Sequence, residues 1–81
     1  MASTRSVVLY HAEGCHLCEQ ARGVLRAELG HAFEEVDIGG DDALEAKYRE
    51  WLPVVEIDGE RAFVYFVEAA ALRRKVAQSP G

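Results

Sequence analysis

Val7-Val8-Leu9-Tyr10-His11-Ala12-Glu13-Gly14-Cys15-His16-Leu17-Cys18 is the stretch on which the reading of this chain turns. It opens as an apolar run, passes through a short loop ending in Gly14, and closes on two thiols three residues apart. From Leu17 onward the pattern becomes helical, with Leu17, Ala21, Val24, Leu25 and Leu29 on one broad stripe. Cys15 therefore stands at a helix start and Cys18 one turn further in. The unpaired amides and the positive dipole end at that place stabilise an anion. A thiolate so placed has its pKa lowered from about 8.5 toward roughly 3.5 to 7.5. The second thiol can then close a disulfide with the first, the arrangement that thiol–disulfide exchange requires.

Outward from this stretch, Ser6–His11 reads as a first strand, apolar on both faces as a buried parallel strand is. The first helix is expected over Cys15–Leu29, stopped by Gly30. Ala32–Ile38 follows as a second strand, ending in alternation that predicts one more exposed face. Asp42-Ala43-Leu44-Glu45 has the spacing of a capping box for a short helix to about Glu50. Pro53 cannot continue that helix. Val54–Ile57 is the next strand, Asp58-Gly59 a hairpin turn, and Arg61–Tyr65 the return strand. Val67–Ala77, with Leu72 and Val76 four apart, closes the chain as a helix. The first two strands should be parallel and the last two antiparallel.

Eighty-one residues make one domain, with no room for a second functional module. A composition 49% hydrophobic is that of a globular core. Only Met1–Ser6 and Gln78–Gly81 lack apolar anchors, and both are expected to fray. The net charge of −5 argues against a nucleic-acid surface, which needs clustered Lys and Arg. The run Arg73-Arg74-Lys75 reads as cations at the carbonyl end of the last helix. His31, beside Gly30, reads as a surface or capping residue. No stretch has the length of a signal peptide or a membrane span, so the expectation is a cytoplasmic, monomeric protein without membrane contact. Two cysteines in a reducing compartment point to catalysis or metal binding rather than a permanent staple.

Taken in order, Val7-Val8-Leu9-Tyr10, Gly14-Cys15-His16-Leu17-Cys18, Val36-Asp37-Ile38, Leu52-Pro53-Val54-Val55 and Ile57-Asp58-Gly59 carry a resemblance that spans Val7 to Val76. The chain resembles the glutaredoxin-like branch of the thioredoxin superfamily, most of all the small bacterial glutaredoxin-like proteins. The resemblance implies a thioredoxin-like α/β fold: a four-stranded mixed sheet with helices on both faces, in the order β-α-β-α-β-β-α. It further implies that Cys15 is the attacking thiolate, Cys18 the resolving thiol and Pro53 a cis proline facing the dithiol. Leu52 would then offer its backbone to an extended substrate. Tyr10 matches the aromatic position at the end of the first strand, read first as packing and second as a substrate contact. His16, between the thiols, would favour the thiolate when protonated, while Glu13 and Glu19 oppose this.

One departure bears on the substrate. Glutathione-using glutaredoxins resemble one another in a Gly-Gly pair and an acidic residue after the hairpin, where this chain has Phe63-Val64-Tyr65-Phe66. The departure predicts a redox site without the standard glutathione contacts. The expected function is thiol–disulfide exchange on a protein or small-molecule disulfide, with no cofactor beyond the dithiol. A thiol or a flavoprotein reductase would supply the electrons. The rival class is metal or iron–sulfur binding, with His11 and His16 as further ligands, although no second ligand pair of suitable spacing is present. A third class keeps the fold as an interaction module. In that account Phe63, Tyr65 and Phe66 form a partner surface, whereas an aromatic strand–helix junction is ordinarily core. Trp51, beside Leu52 and Pro53, admits the same two readings and is expected near the dithiol.

Overall fold

The computed structural model describes residues 6–77. The expected fraying at 1–5 and 78–81 falls outside them. The elements are β1 (Val7–His11), α1 (His16–Leu29), β2 (Glu34–Asp37), α2 (Asp42–Tyr48), a 3-10 turn (Arg49–Trp51), β3 (Val54–Ile57), β4 (Glu60–Val64) and α3 (Ala69–Ala77). The sheet runs β2-β1-β3-β4, with β1 parallel to β2 and antiparallel to β3, and β3 antiparallel to β4. This is the thioredoxin-like α/β order.

Alternation along the strands divides the core in two. Val7, Leu9, Val55 and Ile57 face Ala21 and Leu25 of α1 and Leu72 of α3. Val54, with Tyr10 and Val64 beside it, packs with Tyr48 and Leu44 of α2, Leu52, Ala12 and Cys18. β1 is therefore not equally buried on both faces: Val7 and Leu9 are buried, while Val8 and Tyr10 are half-buried. At the hairpin, Asp58 and Gly59 have φ of 53° and 81°. Both central residues of the turn thus lie at positive φ, as the right-handed twist of the flanking strands favours. Ser6, just before β1, locks the hairpin: its N–H donates to the Asp58 side chain at 2.9 Å, and its carbonyl accepts from the Asp58 N–H at 2.8 Å.

Several boundaries differ from the sequence expectation, each for a visible reason. The N-cap of α2 is Asp41, whose carboxylate accepts from the Leu44 N–H at 3.1 Å, and not Asp42, which lies in the first turn. The helical ladder of α2 stops at Tyr48, and the chain tightens into the 3-10 turn before Pro53. β2 begins only at Glu34, because Ala32 is held in the turn after α1 by a bond from its N–H to the Leu29 carbonyl. β4 ends at Val64, since Tyr65 has φ +68° and leaves the extended region. α3 starts at Ala69, the Glu68 carbonyl accepting its first helical bond from Leu72. Arg73 does more than balance a helix end: it bonds Glu28 of α1 at 2.8 Å, tying α3 to α1. His31 is exposed.

Candidate active site

Gly14, at φ +74°, turns the chain from β1 into α1. Cys15 is extended and serves as the N-cap of α1, a place ordinarily taken by a hydroxyl or carboxylate oxygen. Its Sγ accepts a hydrogen bond from the Cys18 N–H at 3.1 Å. Cys15 and Cys18 form a disulfide with their Cα atoms 5.2 Å apart. The two sulfurs differ in access, for Cys15 is half-buried and Cys18 is 1% exposed. When the pair is reduced, the amide donor and the helix dipole act on Cys15, the sulfur that a solute can reach.

Tyr10 and Cys15 pack against the apolar cluster that holds Cys18 and Leu52. Pro53 is fully buried, the Leu52–Pro53 bond is cis, and the Pro53 carbonyl accepts from the Tyr65 N–H at 2.9 Å. His16 is not gathered in; it is exposed on the first turn of α1. The Tyr10 ring stacks on that of Tyr48, with centroids 4.1 Å apart and planes 16° from parallel. Tyr48 donates its hydroxyl proton to Glu56 at 2.6 Å. Burial pushes the Tyr10 hydroxyl up to about 12, aided by its bond to Tyr48 and the nearby Glu56 charge. Burial, then the bond to Glu56, raises Tyr48 as well. Both phenols therefore stay protonated through the neutral range, a polar chain behind the dithiol that composition and periodicity did not foretell.

A cleft of about 190 Å³ lies beside the disulfide, lined by both cysteines with His11, Glu13, Glu19, Arg22 and Asp37. Arg22 donates through Nε to Glu35 at 2.5 Å, and its Nη2 lies 3.4 Å from His11 Nδ1. A guanidinium can only donate, so His11 Nδ1 is the acceptor. The same bond from Arg22 holds the Glu35 carboxyl below its usual range. Sequence reading missed Arg22. Its signal was there in two spacings: Arg22 lies four residues after Cys18 on α1, and His11 shares a strand face with Leu9.

A second, apolar cleft of about 100 Å³ is lined by Leu17, Gln20, Ala21, Val24, Tyr65, Phe66 and Val67. The core reading of the aromatic segment is corrected here. Phe63 packs on the core, but Tyr65 is 38% and Phe66 67% exposed. Tyr65 carries a bulky ring at a positive φ that favours glycine. Besides its bond to Pro53, its hydroxyl donates to the Glu50 carbonyl at 3.1 Å, and its ring lies 6.1 Å from that of Trp51. Trp51 is 41% exposed and is also covered by Arg61, 5.8 Å from its centroid. Among the described residues, no group of three or more His, Cys, Asp and Glu is placed to hold a metal ion. No described helix is long and apolar enough to cross a membrane.

A four-stranded mixed sheet, with a helix that opens on a Cys-x-x-Cys pair, defines a thioredoxin-fold protein bearing a dithiol. More narrowly, residues 6–77 match the glutaredoxin-like domain family (DUF836), and the chain belongs to it. It is similar to protein XcR50 of X. campestris, at 33% identity over 93% of this chain and 100% of that one, with a TM-score of 0.79. Ne2328 of Nitrosomonas europaea is 26% identical over 95% of this chain and 96% of its own, with a TM-score of 0.72. A mutant thioredoxin of Halobacterium salinarum NRC-1 shares the fold at 20% identity and a TM-score of 0.63, over 91% of this chain and 73% of that one. A search of curated proteins found no match.

Proposed function

We propose that this protein is a thiol–disulfide oxidoreductase that works through Cys15 and Cys18 without a standard glutathione site. One observation carries the reading: the thiol pair is closed at the start of α1 with the more accessible sulfur held on a helix-end amide. In the reduced protein the Cys15 thiolate attacks a disulfide of a protein or small thiol, giving a mixed disulfide and one free thiol. Cys18 then attacks Cys15, releases the second thiol and leaves the Cys15–Cys18 disulfide. The difference in exposure supports this division, because the buried thiol can reach only a partner already joined to Cys15. The ring of Tyr65, where a small residue would let backbone approach a tripeptide, supports a substrate other than glutathione. A thiol or a flavoprotein reductase would return the electrons.

Equilibration across a dithiol redox series, with alkylation and mass analysis, tests this. The expected outcome is a reversible two-electron transition near about −270 to −200 mV. Cys15→Ser abolishes exchange, and Cys18→Ser accumulates the mixed disulfide. A pair that forms no intramolecular disulfide in any buffer ends the proposal.

A further inference from the structure

Two clefts flank α1 on opposite sides, and they are unlike. At about 3.6 residues per turn, Cys18, Glu19 and Arg22 lie on one side of α1, while Leu17, Gln20, Ala21 and Val24 lie on the opposite side. The first side faces the cleft that contains both sulfurs. Three carboxylates line it, those of Glu13, Glu19 and Asp37, and none of them joins an ion pair among the described residues. Its one guanidinium, on Arg22, is already bound by Glu35, and the His11 Nδ1 lone pair faces Arg22. Asp37 accepts from the Gly39 N–H at 2.8 Å, and with three carboxylates against one guanidinium already paired the cleft presents net negative charge beside the dithiol.

The second side faces the apolar cleft, whose outer wall is the exposed ring of Phe66. Leu17, between the two cysteines in sequence, lines this cleft at its end nearest the dithiol in the chain. With about 100 Å³ it holds one aliphatic or aromatic side chain. The clefts are separated by the width of a helix, about 10 Å. An extended polypeptide covers that in about three residues.

We propose that the dithiol selects polypeptide disulfides whose reacting cysteine has a lysine or arginine close on one side and an apolar residue close on the other. This rests on the oxidoreductase reading and names its substrate class. The basic side chain answers the carboxylates of Glu13, Glu19 and Asp37, and the apolar one fills the cleft under Phe66. The reduced protein and the peptide disulfide give the oxidised protein and two free thiols: two electrons and two protons pass to the substrate, and the Cys15–Cys18 bond forms as the substrate bond breaks.

The test uses the reduced full chain and peptides whose central cysteine is joined by a disulfide to 2-mercaptoethanol. Its flanks are Lys and Leu, Glu and Leu, Lys and Ser, or Glu and Ser, in both orders. Single-turnover release of peptide thiol is followed by chromatography, each rate divided by that of the same peptide with dithiothreitol. The Lys/Leu peptide is expected to react about tenfold faster than Glu/Leu at low ionic strength, the gap closing as salt is added. It is expected to react about fivefold faster than Lys/Ser. Glu19→Lys shrinks or inverts the Lys-over-Glu ratio, and Phe66→Ser shrinks the Leu-over-Ser ratio. Equal normalised rates for all the peptides overturn the specificity and leave the oxidoreductase reading standing. Failure to reduce any of them, with both thiols free by titration, overturns both.

Discussion

Gly23 occupies the middle of α1 with its α-hydrogens toward solvent, and a Cβ built there meets nothing within 4 Å. Glycine in a helix interior loses more backbone freedom on folding than alanine. Gly23→Ala is therefore expected to stabilise the protein by about 0.5–1 kcal/mol. Urea denaturation reads this as a higher midpoint with unchanged slope. At Tyr65 the logic runs the other way. Its positive φ costs a non-glycine residue about 1–3 kcal/mol, against which stand the bonds to Pro53 and Glu50 and the contact with Trp51. Nothing in the local sequence announces that conformation, because it depends on a carbonyl twelve residues back. The cysteines were legible for the opposite reason: their chemistry depends on neighbours within one turn of helix. Spacing places His11 on a strand face and Arg22 on a helix face one at a time, but their contact requires the two faces to be set together.

Among elements, the hairpin and α1 were readable because their signals are local: a two-residue Asp-Gly turn, and a glycine at each end of the apolar stripe. The segment from Tyr65 to Glu68 was misread because its aromatic residues fit a strand, a core junction or a surface equally well by composition. Only the fit of Tyr65 beside Trp51 distinguishes them. The start of α2 shows the same limit on a finer scale, since Asp41 and Asp42 are chemically alike. The bond from the Asp41 N–H to the Ile38 carbonyl turns the chain so that Asp41 takes the cap. α2 has only seven residues, and it carries Tyr48 into the core. Removing its cap in Asp41→Ala is expected to cost about 1 kcal/mol. Faster exchange of the Leu44 amide, with the α1 amides unchanged, would place the loss in this element, whereas Asp42→Ala should leave the Leu44 amide protected.

For the molecule as a whole, stability should fall at both ends of the pH scale, and the groups responsible are named by their shifts. Tyr10 holds its proton in the folded chain up to about 12, against 10.0 for an ordinary tyrosine. Between those values the unfolded chain releases the proton and the folded chain keeps it, so the stability present below pH 10 is lost as pH rises toward about 12. Glu35 is lowered from 4.5, chiefly by its bond to Arg22, so its contribution is present above that value and is lost as pH falls below it. Denaturant midpoints of the oxidised protein measured across pH should show both slopes. Tyr10→Phe should flatten the alkaline one and Arg22→Gln the acid one. The strand order adds a consequence for crowding and storage. β2 is an outer strand, and its exposed Glu34 and Asp37 set like charges along that edge, while Glu35 is paired with Arg22. Such an edge repels another copy's strand at neutral pH. Where the Glu35 bond to Arg22 is lost in acid, β2 gives up a tie to α1, so acid both loosens the chain at this edge and brings an outer strand closer to pairing with a neighbouring molecule.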